Sequence, residues 1–179
     1  MHLRVDGVDC IGKNILRLRP KIYFADHGFR EAFFSGSNNR NIEQVLENIV
    51  ATELTRRGWS LRFGSVSDKK VDFVADKNGR RMYVQVCYLL ASDQTLEREF
   101  SPLQAIRDNW PKLILSLDEV NRSTLGIEHR NLQQWLLRHL HHRGNSSYRS
   151  EMRNAFRLQA MRQYTAVHTA PLVLETYQR

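Results

Sequence analysis

Asn78-Gly79 constrains this chain more than any other short feature, because an Asn-Gly pair between two β-like runs specifies a tight hairpin. The runs it joins are Val71 to Ala75 and Met82 to Leu90, and a third β-like run, Trp59 to Gly64, precedes them. Together they predict an antiparallel three-strand meander. Before it, Ile42, Val45, Leu46, Ile49, Val50 and Leu54 recur at helical spacing, with Asn41 placed to cap the start and Gly58 to stop the helix. After it, Leu96, Phe100, Leu103 and Ile106 predict a helix over 95–109. Pro111 ends that helix, and Lys112 to Leu117 reads as a strand. Ile127 to His129 reads as a short strand and Asn131 to His141 as a closing helix. The order is that of an α/β protein: helix, meander, crossover helix and further strand, with a C-terminal helix. The last strand can pair parallel through the crossover.

Towards the N-terminus, Lys21 to Ala25 is β-prone, Asp26-His27-Gly28 suggests a turn with Asp26 as a cap, and Phe29 to Phe34 a short helix. A composition shift sets off a basic tail over 142–179 from a core over 41–141, and a polar loop, Ser35 to Arg40, closes an N-terminal segment 1–40. The formal charge of +8 is concentrated at the end, where residues 138–179 carry seven arginines, no lysine and two acids. Such an excess attracts polyanions without specifying them, so nucleic acid is an expected partner class. The His139, His141, His142 cluster reads more simply as a basic helix end than as a metal site. Cys10 and Cys87 lie far apart with no CxxC spacing, which suggests neither a disulfide framework nor a structural zinc site and fits a reducing cytoplasmic setting. The longest apolar stretch, Tyr83 to Ala91, is broken by Gln85 and too short to span a bilayer, so no membrane partner is expected.

The residues that could carry chemistry converge on the meander. Asp72 stands inside an apolar strand, Gln85 lies across the hairpin, and Glu47 sits at the margin of the first helix's apolar stripe. Two carboxylates and an amide oxygen at a strand edge can hold Mg²⁺, a hard cation that prefers oxygen, and such a metal lowers the pKa of an attacking water. Each residue has a plainer alternative. Asp72 could pair with Lys69 or Lys70, and Gln85 could hydrogen-bond a neighbouring strand. Glu47 competes with Glu43 and with Glu53, which lies nearer the middle of the stripe and would need a partner such as Arg57. Trp59, Trp110 and Trp135 fall at element edges and read as core or rim.

With Glu47, Asp72 and Gln85-Val86-Cys87 in this order, the sequence resembles the restriction-endonuclease-like superfamily, also called PD-(D/E)XK. Its pattern is a helical Glu, an Asp on one strand, and Glu or Gln, any residue, then Lys on the next. A closer resemblance runs from Gly7 to Leu137, through Tyr23 to Arg30, Leu46 to Val50, Arg56-Arg57-Gly58, Val71 to Val74, Gln85 to Tyr88 and Leu115 to Asp118. These are similar to the C-terminal domain of unknown function of prokaryotic AAA-type ATPases, which are described as ATP-binding proteins.

The resemblance implies a restriction-endonuclease-like core with Glu47, Asp72 and Gln85 as ligands for Mg²⁺ or Mn²⁺. It also implies an ATPase module that is absent from this chain, leaving 1–40 as the remnant of the link to it. Cys87 stands where the superfamily's lysine would act, and a thiol supplies no positive charge. The expected function is therefore a nuclease-like domain with a degenerate site that binds nucleic acid or a protein partner. The competing expectations are an active Mg²⁺- or Mn²⁺-dependent DNA endonuclease in which Lys70, on the face of Asp72, replaces the lysine, and a protein-interaction module that regulates an ATPase. Lys69, Arg80 and Arg81 are the expected phosphate contacts.

Gly7 to Asn14 matches the GxxxxGK phosphate-loop spacing but has Asn14 where a Ser or Thr hydroxyl would meet Mg²⁺, and Pro20 cuts short any following helix. No nucleotide-binding site and no ATP are expected.

Overall fold

The computed structural model describes residues 2–10, 19–24 and 42–138 of the 179. The expected turn and short helix over 26–34, the Asn41 cap, the histidine cluster and the tail lie outside them. The chain divides into two compact units, Met1–Trp135 and Leu136–Arg179. Of the second unit only Leu136, Leu137 and Arg138 are described.

The first unit is a mixed α/β structure around one seven-stranded sheet, with strand order β2-β1-β3-β4-β5-β6-β7. The strands are β1 His2–Asp9, β2 Lys21–Phe24, β3 Ser60–Val66, β4 Lys69–Lys77, β5 Arg80–Val86, β6 Lys112–Ser116 and β7 Ile127–Asn131. The helices are α1 Ile42–Arg56, α2 Asp93–Ala105 and α3 Leu132–Arg138. Strands β3, β4 and β5 form the antiparallel meander, and β6 and β7 continue it in parallel. Strand β1 adds parallel to β3, with β2 antiparallel outside it. Two strands from segment 1–40 thus belong to the same sheet as the central meander.

Local chemistry explains the element ends. Helix α1 stops in a Schellman arrangement: Trp59 N–H bonds the Leu54 carbonyl at 3.0 Å and Gly58 N–H that of Thr55 at 2.8 Å. Gly58 has φ +81°, a left-handed conformation that would strain a residue with a Cβ. The β4–β5 turn pairs Lys77 with Arg80 and holds Asn78 and Gly79 at positive φ, as a type I′ turn requires. Helix α2 begins earlier than its apolar spacing suggests because Ser92 caps it, accepting the Thr95 N–H. It also ends earlier, since Ile106 is extended.

Helix α2 buries Phe100 and Leu103, with Ile106 just beyond its end, in a core that includes Val66, Val71, Val74, Tyr83, Cys87, Ile114 and Ile127. Helix α1 lies against β2, β3, β4 and β5 and buries Val45, Leu46, Ile49, Val50 and Leu54. Glu53 is buried in its stripe and is held by both Arg56 and Arg57, at 2.6 and 2.8 Å. Arg57 in turn stacks over Trp135, 3.8 Å from the ring centroid. Among the described residues no helix is long and apolar enough to cross a membrane.

Candidate functional site

The meander carries one irregularity, at Asp72. Arg62 pairs with Val74 and Gly64 with Val71, so Phe63 alone opposes both Asp72 and Phe73. A bulge of this kind bends the strand and re-aims a side chain. On its other side, the β4–β5 backbone ladder runs only as far as Phe73 opposite Val84. There two side chains take over the pairing. Val86 N–H donates to Asp72 Oδ2 at 2.9 Å, and Asp72 N–H donates to Gln85 Oε1 at 3.2 Å.

The remaining atoms of these two residues reach both helices. Asp72 Oδ1 lies 3.6 Å from Lys21 Nζ, which also donates to Glu47 Oε2 at 3.0 Å. Tyr23 OH donates to the same Glu47 oxygen at 3.0 Å. Lys21 and Tyr23 are two apart on β2 and so share a face. In the other direction Gln85 Nε2 donates to Glu99 Oε2 at 2.9 Å, Glu99 Oε1 accepts from Arg98 at 2.7 Å, and Arg98 reaches Glu43 on α1 at 3.3 Å. The result is a continuous polar chain of four carboxylates, two cations, an amide and a phenol. Its electrostatics follow from that surplus of acid: burial pushes the Asp72 carboxyl up to about 7, Glu47 adds to the shift and Glu99 does so more weakly, while Lys21 and the Val86 N–H oppose it. Burial and Glu47 also push the Tyr23 phenol up, keeping it a donor.

Three expected residues therefore meet, Glu47 and Asp72 through Lys21, and Gln85 through Asp72. The lysine beside the carboxylates is Lys21, not Lys70. Lys70 is exposed near the start of β4, and no hydrogen bond or ion pair joins it to Asp72 or Glu47. Cys87 is fully buried among apolar side chains, and burial with the nearby carboxylates raises its thiol pKa, so it stays neutral. The expected phosphate contacts do not form one surface. Lys69 opens β4, opposite Val66, whereas Arg80 and Arg81 open β5 at the far end of β4.

Sequence reasoning missed Lys21 and Glu99. Glu99 carried the same signal as Glu53, an acid within an apolar helical stripe, here beside Leu96 and Leu103. Lys21 carried only its alternation with Tyr23.

A divalent cation does not fit these residues as arranged. The Lys21 ammonium stands between the two carboxylates, and the Gln85 oxygen, the expected third ligand, is committed to the Asp72 N–H. Among the described residues no three His, Cys, Asp or Glu side chains are grouped to hold a metal.

A second constellation, Ser116, His129 and Asp118, has the residue types of a hydrolase triad but the wrong wiring. Ser116 Oγ donates to Asp118 at 2.6 Å and sits 2.8 Å from His129 Nε2, while His129 Nδ1 accepts the Arg122 N–H at 3.0 Å. Burial lowers the His129 pKa, so Nε2 carries the one proton and donates to the serine. The imidazole cannot act there as a base, and Ser116 is fully buried. Gly7, the first glycine of the phosphate-loop spacing, is mid-strand in β1, and a Cβ there would stand 2.6 Å from the Phe63 ring. Ile11 to Asn14 lie outside the described residues.

No family model matches the chain, and no solved structure matches it. It is 33% identical over 130 residues to a protein of Haemophilus influenzae named only "Uncharacterized protein", a match covering 72% of this chain and 32% of the relative. The chain thus spans about a third of that relative's length.

Proposed function

We propose that the chain is a nuclease-type module of an AAA-type ATP-binding protein in which the old catalytic pocket now serves structure and binding rather than cleavage. The observation that carries this reading is the Lys21 ammonium between Glu47 and Asp72, with Gln85 turned onto the strand backbone. A site so connected engages its carboxylates with an internal ammonium and supplies no free ligand set. The order of helix, three antiparallel strands, helix and parallel strand supports the restriction-endonuclease-like likeness. The relative's length beyond the match leaves room for a further module such as an ATPase.

A second reading keeps phosphodiester hydrolysis, with Lys21 rather than Lys70 replacing the lysine lost at Cys87. It is favoured by the 3.6 Å approach of Lys21 to Asp72. The test incubates the purified chain with branched, single-stranded and double-stranded DNA in Mg²⁺ or Mn²⁺. No cleavage is expected. Cleavage that disappears in both Asp72→Ala and Lys21→Met would overturn the first reading in favour of the second. Thermal shift in Mn²⁺ provides a further check: wild type should not move, whereas Lys21→Ala, which frees the two carboxylates, should gain stability.

A further inference from the structure

At the hairpin end of β4 lies a cleft of about 630 Å³, within the size range of small-ligand sites. Its lining includes Lys77, Asn78, Gly79, Arg80, Arg81 and Trp110. Asp76 also lines it, but that carboxylate is taken by Arg81, at 2.7 and 3.3 Å, and by Arg62. Arg81 is thereby held in place. Lys77 is anchored to the Arg57 carbonyl at 2.6 Å, and Arg80 is exposed, with no partner among the described residues.

Trp110 is the unusual member. It is a large aromatic left 40% exposed, beside three cations. Its backbone is pinned: Trp110 N–H donates to Asp108 at 3.2 Å, and the next carbonyl, of Pro111, accepts the Tyr83 N–H at 2.9 Å. An exposed indole on a pinned backbone, in a cleft also lined by cations, suits a ligand that joins a planar ring to an anion.

We propose that this cleft binds a nucleotide unit, with the base stacked on Trp110 and the phosphate held by Arg80 and Arg81. The unit could be a free nucleotide or part of a single strand, since both present a π-face and a phosphate. The inference stands apart from the proposed function, because Asp72 to Lys77 is roughly 16 Å along an extended strand.

The test uses the full chain and two probes, fluorescein-labelled oligo(dT) followed by anisotropy and adenosine monophosphate followed by equilibrium dialysis. Trp110→Ala and Arg80→Glu should each weaken binding of at least one probe by about tenfold, in line with the worth of one base stack. Arg4→Glu, an equal charge change on β1, should not. Loss with oligo(dT) alone assigns the cleft to single strands, and loss with both probes assigns it to nucleotides generally. Three results would overturn the proposal: neither probe binding, binding unchanged in both cleft variants, or binding lost in Arg80→Glu but kept in Trp110→Ala, which would leave an anion contact without base recognition. Matching thermal melts of the exposed-site variants and wild type guard against misfolding as the cause.

Discussion

Asp72 is an acid that the fold holds at a cost. Its carboxyl is raised from 3.8 to about 7 because burial and Glu47 outweigh Lys21. Between those values the folded protein binds a proton that the unfolded chain has released, so its contribution to stability is full below about pH 4 and is lost as pH rises towards 7. Asp72→Asn, which can still accept the Val86 N–H, should match wild type near pH 4. It should exceed wild type by an amount on the order of a few kcal/mol above pH 7. Urea midpoints across that range would show it, and a difference that does not grow with pH would refute it. Cys87 shows what sequence does convey at this scale. That Cys87 supplies no positive charge was readable from its residue type, and the structure adds that the position is sealed in the core. That a lysine approaches the carboxylates from β2 was not readable, since Lys21 and Asp72 are fifty-one positions apart and no local pattern links them.

Among elements, α1 and the meander were legible because their signals are local: helical spacing, a glycine stop and an Asn-Gly turn. The attachment of β2 to α1 was not, as it depends on side chains meeting partners distant in sequence: Lys21 and Tyr23 on Glu47, and Asn48 on the β2 backbone. Asn48, buried on α1, accepts the Phe24 N–H and donates to the Phe24 carbonyl, both at 2.7 Å. It fastens β2 by that strand's last residue, and so steadies Lys21 and Tyr23 beneath Glu47. Asn48→Ala leaves two backbone groups without these bonds and should cost about 1–3 kcal/mol. Amide hydrogen exchange should locate the loss, with protection falling in β2 and holding in β4 and β5. A uniform loss across the sheet would show that the clamp is not local.

For the whole molecule, the difference between reading a chain and seeing it lies in the first 24 residues. In sequence, 1–40 divides from a core at 41–141, whereas the compact unit runs from Met1 to Trp135 and its sheet begins with β2 and β1. Polar spacing hid β1: only Val5 and Gly7 along it are buried, with Gly7 admitting the Phe63 ring. A fragment starting at residue 41 would bare the edge of β3 and leave Glu47 and Asp72 without Lys21. Exposed edges invite pairing between chains. The fragment should therefore aggregate or lose cooperative unfolding, as sedimentation and circular dichroism can establish, whereas a soluble monomer with a sharp transition would show that β1 and β2 are dispensable.

The bulge at Asp72 bears on how such chains are recognised at all. Because Asp72 and Gln85 complete the pairing of β4 and β5 with their side chains, selection for an intact sheet alone would retain them, whether or not either takes part in any chemistry. The pair therefore reports strand architecture first, and a search for metal sites by those two letters would gather sheets that need them only for pairing.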